Sequence, residues 1–290
     1  MNKLTERLAQ PGILVAGGAA GTQLQKAGLP VGAPSELWVL QNPQGVRNLH
    51  RGYIEAGADV ILTNTFGGTR IKLAKNKLGD QVVEINTKAA QLAREVAGSK
   101  VFVLGDIGPT GELMEPMGTL TYADAVATFF EQASGLVAGG VDGILIETMS
   151  DLNETKAAIE GVRKVTELPV LATMSFDMRG RTMMGVKPAT AARELWDLGV
   201  SVVGANCGRT LSETYDAVKA MRQAVPEAVL MAKPNAGLPQ TSGGEATFEV
   251  TPEVMAEYAF KFADLGVKIF GGCCGSDPNH IRAVAKALHK

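Results

Sequence analysis

A (β/α)8 TIM barrel in a single domain spanning residues 1–290 is the fold the sequence predicts. Three features predict it: eight short apolar runs rich in β-branched residues, helical periodicity between them, and polar residues collected where the runs end. In order the runs are 13–16 (ILVA), 59–65 (DVILTNT), 101–107 (VFVLGDI), 142–148 (DGILIET), 169–175 (PVLATMS), 201–207 (SVVGANC), 228–234 (AVLMAKP) and 267–273 (VKIFGGC). Their apolar character is continuous rather than alternating, which marks strands covered on both faces, as in a parallel sheet wrapped by helices. The intervening segments, DAVATFFEQASGLVAGG and PEVMAEYAFKFADLG among them, repeat apolar residues at helical spacing. The second carries Thr251 as a helix cap before Pro252 and Gly266 past its end. Short glycine-containing turns such as AGAD and AGGVD lead back into the strands. Eight such units in one chain favour a closed barrel over an open doubly wound sheet.

Composition narrows the function. With 46% hydrophobic and 20% charged residues and a net charge of −2, the chain has the balance of an ordinary globular protein. Lys and Arg form no run that would track phosphates, so nucleic acid is not an expected partner. The N-terminal MNKLTERLAQPGILVAGGAAG has the outline of a secretion signal, but Glu6 interrupts its basic part and its apolar run is short and glycine-rich, as befits a strand. No stretch reaches the roughly 18 apolar residues of a membrane span. Three cysteines, an odd number, argue for a reducing compartment, and a cytoplasmic location is expected.

In a barrel of this kind the C-terminal ends of the strands build the active site. At those ends stand Thr63, Asn64, Thr65, Asp106, Glu147, Ser175, Asn206, Cys207, Asn235, Cys273 and Cys274, so all three cysteines share one rim. The sixth and eighth strands are separated by one strand, and neighbours lie about 4.8 Å apart, within reach of a common ion. Three thiolates around a soft divalent metal leave one coordination position open, the pattern of catalytic rather than structural zinc. Against this stands the reading of three small buried hydrophobes. A cysteine nucleophile would need a histidine base, and His50, His280 and His289 are all expected on helices or at the terminus, away from this rim. Zinc held by three thiolates is electron-rich and activates water poorly. It is better suited to keeping a substrate thiol as a nucleophilic thiolate, which points to thiol alkylation.

GANC in the sixth run, PNAG after the seventh and GGCCG in the eighth resemble the zinc-dependent homocysteine S-methyltransferase family. The segments TNTFGGTRIKL, GDIGPTGEL, IETMSD and SFDMRGRTMMG are most similar to the homocysteine-binding module of cobalamin-dependent methionine synthase. The resemblance runs from about residue 13 to 285. It implies that Zn2+ held by Cys207, Cys273 and Cys274 binds homocysteine sulfur, which is methylated to methionine. Asn235 would be a fourth ligand displaced by substrate, Glu147 would accept from the substrate ammonium, and backbone amides around Thr63 and Phe66 would hold its carboxylate. Asp106 and Ser175 would line the mouth.

One position departs from the pattern: GGAAGT (17–22) puts Gly17 where the family has an aspartate that helps bind the amino group. Glu147 is then expected as the main anionic anchor, unless the acceptor is another thiol. The chain ends soon after its last helical segment, so the methyl donor is expected in trans, with a methyl-corrinoid (methylcobalamin) on a separate protein favoured over S-methylmethionine or a betaine. Two other readings remain: a non-catalytic module that only presents the thiol, and a metal-free aldolase or lyase using Lys233. The ordinary alternative for Lys233 is a solvated strand-end lysine.

Overall fold

The computed structural model describes residues 3–238, 240–242 and 245–289. The eight runs become parallel strands β1 (Leu14–Val15), β2 (Val60–Leu62), β3 (Phe102–Ile107), β4 (Gly143–Met149), β5 (Val170–Met174), β6 (Val202–Cys207) and β7 (Leu230–Pro234). A hairpin of β8 (Gln240–Ser242) and β9 (Glu245–Thr247) follows, and β10 (Val267–Phe270) completes the set. The sheet order is β1-β10-β7-β6-β5-β4-β3-β2, and a parallel bridge between Ala16 and Val60 joins its two ends. An open sheet has no such closing contact, so the barrel reading holds. The hairpin was not foreseen.

Successive strand side chains point to opposite faces, so every second residue looks into the barrel. Leu14, Val60, Leu104, Leu145, Leu171, Val202, Met231 and Ile269 fill the interior as one buried cluster. The residues between them, such as Ile61, Val103, Ile144, Val203 and Phe270, pack outward in the larger cluster with the helices. The helix Lys3–Ala9 closes the bottom by adding Leu4 and Leu8 to the inner cluster. Two residues further along their strands from Leu104, Leu145, Leu171 and Met231 come Asp106, Glu147, Thr173 and Lys233, all buried. The interior is thus apolar below and polar above, and the polar layer is where the strand ends converge.

The expected caps are present. Thr251 accepts from Val254 N–H at the start of the helix Pro252–Asp264, and Gly266 takes a positive φ of 76° past its end. Two of the strands stop three residues before their apolar runs end: residues 63–65 lie beyond β2 and 271–273 beyond β10. Among the described residues, no helix is long and apolar enough to cross a membrane.

Candidate functional site

Cys207 ends β6, while Cys273 and Cys274 follow β10, with β7 between the two strands. The three Sγ atoms all lie within 4.8 Å of one another, and those of Cys207 and Cys273 are 3.0 Å apart. A tetrahedral ion with sulfur ligands at about 2.3 Å would separate them by about 3.8 Å. The cluster fits such an ion with only small side-chain adjustments. Crowding permits little negative charge without a cation. Bonds from Cys207 and Cys273 stabilise a thiolate on Cys274, well below the usual thiol range. Cys207 is pushed well up by those same contacts with Cys273 and Cys274 and by burial. Full deprotonation of the trio therefore calls for a metal cation.

Local backbone conformations create this convergence. Cys207 has φ 56° and Gly208 φ 72°, a left-handed turn that swings the Cys207 side chain off the strand. Thr148, beside Glu147, is also left-handed at φ 62°. A reciprocal pair of bonds holds it: Thr148 N–H donates to Asn206 Oδ1 at 2.8 Å and Asn206 Nδ2 donates to Thr148 Oγ1 at 2.6 Å. In the GGCCG loop a Cβ at Gly272 would collide with Ser276, and one at Gly275, whose φ is 79°, with the Phe248 ring. Only glycine lets the loop fold tightly enough to turn both neighbouring cysteines to the rim. Asn235, expected as a displaceable ligand, braces the two cysteine loops. Its Nδ2 donates to Gly208 O at 2.7 Å and its Oδ1 accepts from Cys274 N–H at 2.9 Å.

The cysteines line a cavity of ≈ 320 Å³ together with Thr63, Phe66, Asp106, Glu147 and Lys233. Lys233 is not a solvated strand-end lysine. It is buried and donates to Glu147 Oε2 at 2.6 Å, with side-chain exposures of 2% and 7% for the pair. Burial works to lower its pKa, but the charges of Glu147, Cys273 and Asp106 outweigh burial and hold it above the ordinary lysine range. An amine must lose its proton to attack a carbonyl, so the aldolase reading fails on this residue. Glu147, expected to be free for substrate, already has a cation.

The expected carboxylate site is partly committed as well. Thr63 N–H donates to Leu104 O at 3.0 Å within the sheet, and Thr63 Oγ1 accepts from Asp106 N–H at 2.9 Å. Phe66 lines the cavity, and among the described residues its N–H has no acceptor. Ser175 is buried and its Oγ accepts from Gly208 N–H at 3.4 Å, behind the Cys207 turn.

Sequence placed Asn206 on this rim without a role and missed His50 as part of the site. Asn206 reaches both sulfurs, with Nδ2 3.7 Å from Cys207 Sγ and 3.9 Å from Cys273 Sγ. His50, expected away from the rim, lines the cavity from the helix Pro43–Glu55. The signal for it was helical spacing, since Val46, His50 and Tyr53 form that helix's buried face.

The family model for homocysteine S-methyltransferase matches residues 14–288. Methionine synthase of Mycobacterium tuberculosis is 34% identical over 296 residues, covering 95% of this chain and 24% of that protein. Methionine synthase of Mycobacterium leprae is 33% identical, covering 98% of this chain and 25% of that protein. The chain thus spans about a quarter of the length of these relatives. Among solved structures, the homocysteine methyltransferase MmuM from Escherichia coli in its metallated form superposes with a TM-score of 0.83 at 22% identity, covering 98% of this chain and 99% of that one.

Proposed function

Because the chain belongs to the homocysteine S-methyltransferase family, we propose that it transfers a methyl group to the sulfur of homocysteine, giving methionine, with Zn2+ held by Cys207, Cys273 and Cys274. The observation that carries this reading is the cluster of three thiols at the edge of a cavity large enough for an amino acid. Zinc, when bound there, supplies a position at which a thiol is held as thiolate at neutral pH. The chain's own residues do the rest. The Thr148–Asn206 clamp fixes the turn of Cys207, and Asn235 ties that turn to the Cys274 loop. The Phe66 N–H is a donor left open to the substrate carboxylate.

A methyl-corrinoid presented over the mouth is our reading for the donor. The central motifs resemble the cobalamin-dependent module, and the loops at the strand C-terminal ends expose apolar side chains. Val31, Met117, Met178, Met183 and Leu238 are 85%, 67%, 58%, 63% and 40% exposed. A small methyl-onium donor would have no use for such a rim.

Metal content of the purified protein tests the centre. Near-stoichiometric zinc is expected in the parent, and Cys207→Ala, Cys273→Ala or Cys274→Ala should each lose most of it. Zinc retained in all three variants sinks the proposed site. Incubation of the zinc-loaded protein with homocysteine and free methylcobalamin should form methionine. Methionine formed without any partner protein would exclude the reading of the chain as a thiol-presenting module.

A further inference from the structure

We propose, on the reading that the acceptor is homocysteine, that Asp106 anchors its ammonium group. Of the two acidic positions the family resemblance assigns to that task, one is a glycine here and the other is already paired. Gly17 carries no side chain, and sterics do not impose the glycine, because the nearest atom to a Cβ there is Tyr53 Cγ at an ordinary 3.4 Å. Glu147 has its charge compensated by Lys233 at 2.6 Å.

Asp106 is the other carboxylate lining the cavity. It is buried, and its Oδ1 has no hydrogen-bond partner. Thr22 Oγ1, His50 Nε2 and Asn64 Oδ1, from residues lining the same cavity, are likewise buried without partners. Buried polar atoms are seldom left so, and a group of them around one cavity marks where a polar ligand sits. Of the four, only Asp106 offers an anion.

Its backbone is pinned from both sides, while its side chain is left to the cavity. Asp106 N–H donates to Thr63 Oγ1 at 2.9 Å, and Asp106 O accepts from Thr65 Oγ1 at 2.7 Å and from Gln132 Nε2 at 3.3 Å. Burial and the nearby Glu147 charge push its carboxyl well above the usual range, a state that an arriving ammonium reverses. The ammonium is thereby received one strand away from Glu147, on β3 rather than β4.

Equilibrium dialysis of zinc-loaded protein against homocysteine and against 4-mercaptobutanoate, the same thiol acid without its amino group, tests this assignment. Asp106→Asn keeps the side-chain shape and should weaken homocysteine about tenfold or more, the loss of one charged hydrogen bond, while changing 4-mercaptobutanoate by less than about twofold. Glu147→Gln strips Lys233 of its partner and should affect both thiols alike. Equal weakening of both by Asp106→Asn, no weakening of either, or selective weakening of homocysteine by Glu147→Gln would each overturn the assignment. Failure of the parent protein to bind either thiol would instead bring down the functional reading on which it rests.

Discussion

Lys233 and Glu147 come from strands on opposite parts of the barrel, 86 residues apart in sequence, and meet in its buried polar layer. Removing one partner of a buried pair leaves the other charge without compensation, which costs about 3–5 kcal/mol. Lys233→Met should therefore lower the urea midpoint strongly. Adding Glu147→Gln to that variant should restore most of the loss, because a neutral amide has less need of a cation. A double-mutant cycle on urea midpoints gives the coupling directly, and additive losses would show that the two charges do not depend on each other. Sequence showed both residues at strand ends and so near the rim. It could not show that they pair, because pairing depends on strand stagger and on which residues fill the layer beneath.

The strands were legible because their β-branched runs and the helical segments between them repeat through the chain, and a step of two from Leu104 or Met231 leads to Asp106 or Lys233. The connection from β1 to β2 was harder to read. It holds three helices, Gly21–Lys26, Leu37–Gln41 and Pro43–Glu55, and the last turns a face toward the cavity. His50 on that face carries a testable consequence. Burial lowers its pKa from the usual 6.5 to about 4. In the unfolded chain it titrates near 6.5, so at intermediate pH the unfolded state binds the extra proton. Stability from this residue is complete above about 6.5 and is lost as pH falls toward about 4, to a total of about 3 kcal/mol. The urea midpoint should fall on acidification across that window, and the fall should be smaller in His50→Gln. An identical pH profile in the variant would mean that other groups carry the acid sensitivity.

At the scale of the whole molecule the barrel separates two tasks along its axis. The top holds the thiols, the ion pair and Asp106, where strained turns at Thr148 and Cys207 are kept in place by their hydrogen bonds. The bottom is apolar and is plugged by the helix Lys3–Ala9, whose Leu4 and Leu8 complete the inner cluster with Leu145, Leu171 and Ile269. In this fold the strand C-terminal face carries chemistry and the opposite face carries stability. Leu4 is fully buried, and truncating it should leave a cavity at the base. Leu4→Ala is expected to cost about 2–5 kcal/mol, read from the urea midpoint. The folded variant should still bind zinc and homocysteine as the parent does, because the apolar layer lies between the plug and the cysteines. Equilibrium dialysis of homocysteine on the zinc-loaded variant, in buffer without denaturant, makes the comparison. A loss of homocysteine affinity in step with the loss of stability would show that the base of the barrel sets the geometry of its mouth, and that the two tasks are one.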